Sequence, residues 1–269
     1  MFIVSGLFKH SVSKILSLDN LPLVSVVIAA RNEEKGLPYL IHDLVNQEYP
    51  LGKLEIVFIN DRSTDLTENI LKEASENYSF IKNIKIEVKS EEMTPKKHAL
   101  TKGIELARGE VIISTDADCR VGKLWVSSMT YDVIKNDSIS IGFSSIMDQT
   151  FFDQYQKIDF LGIITANAGA AGWGQYWSGT GQNLAYYKSD FLEINGFEPV
   201  KKKISGDDMY LVQSISKIKT GSINIDPNSF VKTEPLKKVK DFLNQRTRWS
   251  SNAKLNVKES PYFFSFLVN

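Results

Sequence analysis

Apolar and polar positions follow two different periods along the first 120 residues. Val24-Ser-Val-Val-Ile-Ala-Ala30 is a nearly continuous apolar run rich in β-branched side chains, the pattern of a strand buried on both faces. Leu54 to Ile59 and Val111 to Ile113 repeat it, and Ile84 to Val88 reads as a further strand. Between these runs the period becomes helical. Leu37 to Gln47 has Pro38 in its first turn and sets Leu40 with Leu44 and Ile41 with Val45 at i+4 spacing. Ser63 and Thr64 are capping candidates for a helix whose stripe is Leu66, Ile70, Leu71 and Ala74. Thr94-Pro95 opens another, with Leu100, Ile104 and Ala107 on one face and an end near Gly109. This alternation predicts an α/β fold: a Rossmann-like, doubly wound, mostly parallel sheet with helices on both faces.

The two ends of the chain are patterned differently. Met1 to Leu18 carries Phe2, Ile3, Leu7, Phe8, Val12, Ile15 and Leu16, interrupted by Lys9, His10 and Lys14, and predicts an amphipathic helix. Leu236 to Ala253 predicts a helix with Leu236, Val239, Phe242 and Leu243 on one face. The run Pro261 to Asn269 is strongly apolar, either the first turns of a membrane helix or a terminal segment packed on the core. No stretch reaches the roughly 18 apolar residues that cross a bilayer. The expected organisation is an N-terminal segment at 1–20, an α/β domain at 21–235 in two halves (21–120 and 121–235), a basic helix at 236–258, and the tail at 259–269.

Composition narrows the chemistry. Of 269 residues, 32 are Lys or Arg and 32 Asp or Glu, so the net charge is zero and nucleic acid is not an expected partner. The balance is uneven along the chain. Residues 1–199 hold 19 basic and 26 acidic side chains, whereas residues 200–258 hold 13 and 5. That basic stretch suits diphosphates and the anionic cytoplasmic face of a membrane, which gives the expected location. A single cysteine, Cys119, excludes an internal disulfide and is expected to pack as a small apolar group. His10, His42 and His98 are scattered, so any metal would need oxygen ligands.

In doubly wound sheets ligands bind beyond the carboxyl ends of the strands. After the first strand stands Arg31-Asn-Glu-Glu34, with neither a dinucleotide fingerprint nor a P-loop. Asn60-Asp-Arg-Ser-Thr-Asp65 follows the second strand and Ser114-Thr-Asp-Ala-Asp-Cys119 the fourth, so carboxylates gather at one rim. Two carboxylates in a partly dry cleft repel each other, and a divalent cation shared with a substrate diphosphate relieves that repulsion. Farther on, Gly206-Asp-Asp208 opens an apparent helix, where the pair could equally be a cap.

Val24-Ser-Val-Val-Ile-Ala-Ala-Arg-Asn-Glu33, Asn60 to Asp65, Lys96-Lys-His-Ala-Leu100, Asp116-Ala-Asp118, Gly206-Asp-Asp208 and Gln245-Arg-Thr-Arg-Trp249, in this order, resemble family 2 glycosyltransferases. The resemblance covers roughly residues 22 to 252, and the last motif looks like that of the membrane-bound, often polymer-forming members. It implies a GT-A fold, a nucleotide-sugar donor, usually a UDP-sugar, Mn²⁺ or Mg²⁺, inversion at the anomeric carbon, and a saccharide or lipid-linked acceptor. By the same resemblance Asp208 is the general base, with Asp207 in support. Asp118 is the metal ligand, and Ala29, Asn32, Glu33, Asp61, Lys96 and Asp116 contact the donor. Asn60 and Arg62 depart from the family's Asp-Asp-Gly-Ser.

The glycine- and aromatic-rich stretch Gly172 to Tyr186 supplies acceptor candidates, Trp173, Trp177, Ser178 and Gly179, because Trp offers a flat face to a sugar. Gln245, Arg248 and Trp249 complete the acceptor and diphosphate side, since the guanidinium fork suits a diphosphate. Two other classes stay open on the residues alone: a nucleotidyltransferase acting on sugar phosphates, and a non-catalytic sugar-binding module.

Overall fold

The computed structural model describes residues 2–12 and 21–255, and for 251–255 the backbone only. In chain order the elements are α1 (Phe2–Leu7), β1 (Val24–Ala30), α2 (Leu37–Val45), β2 (Leu54–Asp61), α3 (Thr67–Asn77), β3 (Ile81–Ile86) and α4 (Pro95–Leu106). Then come β4 (Val111–Ser114), β5 (Cys119–Val121), α5 (Trp125–Asn136), β6 (Ile139–Gly142), β7 (Ser144–Ile146) and α6 (Phe151–Ala171). The rest are β8 (Leu184–Tyr187), α7 (Lys188–Glu193), α8 (Asp207–Ile218), β9 (Gly221–Asn224), β10 (Val231–Thr233) and α9 (Val239–Leu255).

The main sheet has the order β3-β2-β1-β4-β8-β6-β9. Its first four strands are parallel, as the continuous apolar runs require, and β8 enters antiparallel to both β4 and β6. Every residue of β2 is buried, and so is every residue of β1 except Ala29. Two apolar clusters, one on each face of the sheet, form the core. A small second sheet, β5-β10-β7, is built from strands next to the site.

Some expectations shift. The third strand lies at Ile81–Ile86, where Ile81 and Ile84 face Ile56 and Ile59 of β2 in register, and Val88 is exposed beyond it. Ser63 and Thr64 do not cap α3. Ser63 Oγ accepts from Asn32 N and Thr64 N donates to Asn32 Oδ1, while Asp65 Oδ1 takes the N–H of Thr67. α4 ends at Leu106, and Gly109 lies against the backbone of Ser25, where a side chain would not fit. On α9 only Phe242 of the expected apolar face is well buried, whereas Val239 and Leu243 are exposed. Among the described residues the N-terminal helix spans Phe2–Leu7 and does not include Phe8 to Val12; Met1, residues 13–20 and the apolar tail lie outside the described residues.

Candidate active site

The site is assembled at the carboxyl ends of β1, β2 and β4. The loops after β1 and β2 are zipped together by Asn32 N to Ser63 Oγ (3.1 Å), Glu33 N to Thr67 Oγ1 (2.8 Å), Thr64 N to Asn32 Oδ1 (2.8 Å) and Leu66 N to Glu34 Oε2 (3.1 Å). Asn32 therefore holds the rim with its side chain, in a left-handed backbone (φ 57°) that Asn tolerates. Asp61 is buried, and both its oxygens accept from Arg62, at 2.8 and 3.1 Å.

The Asp116–Asp118 turn is clamped from two sides. Gly36, at the start of α2, packs so closely that a Cβ there would stand 3.1 Å from the Ala117 carbonyl and from Asp118 Cα. Arg120 on β5 makes a forked pair with Asp43 on α2, at 2.6 and 2.8 Å. Burial and Asp116 raise the pKa of Asp118. Burial, with Asp118, Asp116 and Asp65, pushes that of Glu33 up to about 7. Lys96, on the first turn of α4, donates to Asp116 Oδ1 at 2.8 Å. Burial opposes its charge, but Asp116, then Asp207 and Asp208, hold it firmly protonated.

Those last two carboxylates arrive from more than a hundred residues away. Gly206 turns the chain at φ 86° and α8 begins at Asp207. Asp208 Oδ2 accepts from Gly181 N at 3.3 Å and Oδ1 from Met209 N at 2.7 Å. Its pKa is raised by burial and by Asp207, with the two N–H groups and Lys96 pulling the other way. A cavity of about 770 Å³ joins these groups: Lys96, Asp116, Asp118, Asp207 and Asp208 line it, together with Trp177, Ser178, Gly179, Gln245, Arg248 and Trp249. Ala29, Asn32, Glu33 and Asp61 sit on the adjoining rim and not in its wall. Trp173 lies elsewhere: it stacks on Phe2 of α1 at 5.5 Å, and Lys9 Nζ stands 3.2 Å above its ring. Trp177 is almost wholly buried, and its carbonyl accepts from Gln213. Cys119 is buried in the core, as expected of a packing thiol.

Two residues escape the sequence reading. Gly181 lies between Lys96 and Asp208; a Cβ there would be 3.7 Å from Lys96 Nζ and 3.8 Å from Asp208 Cβ. Gly179, by contrast, is a packing position against Leu184, Ile141 and Val212. Lys97 is 1% exposed, and its Nζ donates to the Lys203 carbonyl at 2.6 Å. Thr94 N also donates, to Lys201 O at 2.9 Å, so the first turn of α4 holds the loop leading into Asp207. The Gly179-Thr-Gly181 repeat is a signal for the first residue. Nothing in a Lys-Lys pair distinguishes the second from a surface lysine.

Among the described residues no three His, Cys, Asp or Glu side chains converge to enclose a metal. The donor set still fits a divalent cation that brings the rest of its oxygens on a ligand. Asp118 is an oxygen donor lining the cavity beside Asp116, and its side-chain hydrogen-bond partner among the described residues is the weakly donating thiol of Cys119 at 3.7 Å.

The family model of glycosyl transferase family 2 matches residues 25–205, two thirds of the chain. The chain belongs to glycosyl transferase family 2. It is 27% identical over 262 residues to the Bacillus subtilis (strain 168) protein named Probable glycosyltransferase YdaM, covering 93% of this chain and 61% of the relative. Over 103 residues it is 40% identical to the beta-monoglucosyldiacylglycerol synthase of Nostoc sp. (strain PCC 7120), 38% of this chain and 21% of the synthase. The chain thus spans about three-fifths of one relative and one-fifth of the other. Its fold matches the mannosyltransferase PcManGT from Pyrobaculum calidifontis, solved with GDP-Man and Mn²⁺, at a TM-score of 0.64 and 17% identity over 88% of this chain and 65% of that one. The fold of this family 2 chain is therefore GT-A, as the resemblance implies, on the doubly wound sheet that the alternation of strands and helices predicts.

Proposed function

We propose that this family 2 chain transfers a glycosyl group from a nucleotide-sugar, a UDP-sugar by its motifs, to a hydroxyl of a saccharide or lipid-linked acceptor, with inversion. The observation that carries the reading is the meeting of Asp116, Asp118, Lys96 and Asp208 in one cavity from three separated motifs. The acceptor oxygen bonds to the anomeric carbon as the bond from that carbon to the diphosphate oxygen breaks. The acceptor proton passes to Asp208, whose carboxylate is oriented by the N–H groups of Gly181 and Met209. Lys96 and Arg248 supply positive charge to the departing nucleoside diphosphate. Mn²⁺ or Mg²⁺ held by Asp118, with Asp116 beside it, would add Lewis-acid neutralisation of that leaving group.

The acceptor classes follow the name of the Nostoc relative and the resemblance to polysaccharide synthases. We also propose action at the cytoplasmic face of a membrane. Exposed Phe2 and Phe8 around α1, Val239 and Leu243 on α9 and the basic residues of 200–258 support it. No helix among the described residues is long and apolar enough to cross a membrane.

Mixing the chain with UDP-sugars, Mn²⁺ or Mg²⁺ and acceptor, and following UDP release, tests the reading. Asp208→Asn is expected to lower transfer on the order of 10²- to 10⁴-fold while calorimetric donor binding persists. Transfer unaffected by Asp208→Asn rejects Asp208 as base. Donor binding without turnover in the wild-type chain favours a sugar-binding module. A sugar-phosphate and a nucleoside triphosphate condensing into nucleotide-sugar would indicate a nucleotidyltransferase.

A further inference from the structure

The cavity has two chemically different ends. One holds Lys96 and the four aspartates; the other is walled by Ile146, Phe160, Ile163, Ile164 and Trp249. Ile146, Phe160 and Ile164 form an apolar cluster of their own, with Phe143 and Trp249 packed against it. Few polar groups face this end. Gln156 is engaged through both amide atoms, Nε2 donating to the Leu236 carbonyl (3.0 Å) and Oε1 accepting from Leu236 N (3.0 Å). Asn167 Nδ2 donates to the Ile163 carbonyl (3.1 Å), which leaves the buried Asn167 Oδ1 as an unpaired acceptor among the described residues. The Trp249 ring is flanked by Phe160, with centroids 5.8 Å apart, and by the Arg246 guanidinium 4.3 Å from its centroid.

A sugar chain needs free hydrogen-bonding partners and open aromatic faces, whereas an aliphatic wall recognises hydrocarbon. At its outer edge this wall reaches solvent: Ile163 lines the cavity yet is 38% exposed. We propose that this end of the cavity is a hydrocarbon subsite. It takes the aliphatic part of a lipid acceptor against α6 while the hydroxyl-bearing head lies toward Asp208. This rests on the glycosyl transfer proposed above, and it selects a lipid over a free saccharide as acceptor.

The test uses ethyl, butyl, hexyl and octyl β-D-glucosides below their micelle concentrations, titrated into the full chain by calorimetry, with UDP-sugar and Mn²⁺ binding measured in parallel. Affinity is expected to rise on the order of 10- to 100-fold from ethyl to octyl, as partial burial of the added methylenes requires. Ile163→Gln, at a half-exposed position that tolerates a polar side chain, and Ala166→Phe, which narrows the same wall, are each expected to flatten the series while nucleotide-sugar binding is retained. A flat series in a wild-type chain that still binds nucleotide-sugar overturns the subsite and leaves the transfer reading standing. A rising series unchanged in both variants overturns its placement on α6. Loss of nucleotide-sugar binding in the wild-type chain counts against the transfer reading, and the alkyl series still decides whether hydrocarbon binds here.

Discussion

The two halves of the sheet solve the same packing problem in different ways. On the β3-β2-β1-β4 side, parallel strands are covered on both faces by α2, α3 and α4 and their apolar side chains are buried or partly buried, while exposed ones such as Tyr39, Leu51, Leu66, Val88 and Leu106 stand singly on separate elements and loops. On the β8-β6-β9 side, α6 and α9 leave Phe151 86%, Ile158 71% and Leu243 57% exposed. The first half is closed by its own interactions and presents a rigid rim of carboxylates. The second carries apolar surface that nothing in the described chain covers, and surface of that kind marks interaction sites. Donor chemistry is therefore placed on the self-sufficient half. The half that meets the acceptor is built to touch something else.

The contrast breaks if the closed half tolerates disruption. Its back edge is held by Glu55, fully buried on β2, which pairs with Lys82 at 2.6 Å and Arg108 at 2.8 Å and accepts from Ser25 Oγ and Arg108 N. Burial alone would raise its pKa, but these partners bring it down to about 2. A depressed carboxylate stabilises the fold above its ordinary pKa near 4.5, and that contribution is lost as pH falls from about 4.5 towards 2. Glu55→Ala leaves the Arg108 N–H unpaired and opens a gap, and is expected to cost about 2–4 kcal/mol in chemical denaturation. A loss that persists unchanged at pH 2 would refute the ionic part of this account.

Lys97 joins the halves, because its ammonium on α4 holds the carbonyl of Lys203 just ahead of Asp207. Burial lowers its pKa, partly offset by Asp207 and Asp208. A base displaced by about 1 Å loses on the order of 10²-fold in rate, so Lys97→Met is expected to reduce kcat about 10- to 100-fold with nucleotide affinity unchanged. Lys97→Arg, which keeps the charge and a donor, should recover part of the loss. An equal fall in kcat and nucleotide affinity would instead indicate general damage to the fold.

The same division governs how much can be read from the residues alone. The four parallel strands and α2 to α4 are legible because each element has one period and one environment. The motifs at their ends follow, since a doubly wound sheet fixes which rim they share. α5 and α6 carry no such signal. In α6 apolar side chains occur all round the helix, some against the core and some in solvent, so no stripe stands out. Val239 and Leu243 mislead for the same reason, their apolar character serving the outside of α9. Trp173 and Trp177 are indistinguishable in sequence; only tertiary packing sends one to α1 and the other under the cavity.

Asp208 gives a smaller, sharper effect that sets stability against activity. Its raised pKa means that the folded state favours the protonated carboxyl. That stability is fullest below the ordinary carboxylate range and is lost as pH rises through the raised value. Turnover has the opposite sign, because the base must be ionised. Transfer should climb with pH through the same interval in which stability declines. Lys96→Met, removing a charge that favours the carboxylate, should move that rise to higher pH. Asp208→Asn should lift the melting temperature at neutral pH by about 2–4 °C, the equivalent of roughly 1 kcal/mol in a chain of this size. A lower melting temperature would mean that the Gly181 and Met209 hydrogen bonds outweigh the burial of charge.

The least effect is expected where the open half faces solvent. Leu243 lies one residue from Phe242, which is buried edge-on against Phe152 and Tyr155, yet Leu243 itself is more than half exposed. Removing an exposed leucine forfeits little burial, so Leu243→Ser should change unfolding free energy by less than about 0.5 kcal/mol. A cost of about 2–5 kcal/mol, the range for a core leucine, would show that this face of α9 is covered in solution. The surface would then belong to the chain's own packing, and the contrast between a closed and an open half would fail at the place where it is most easily measured.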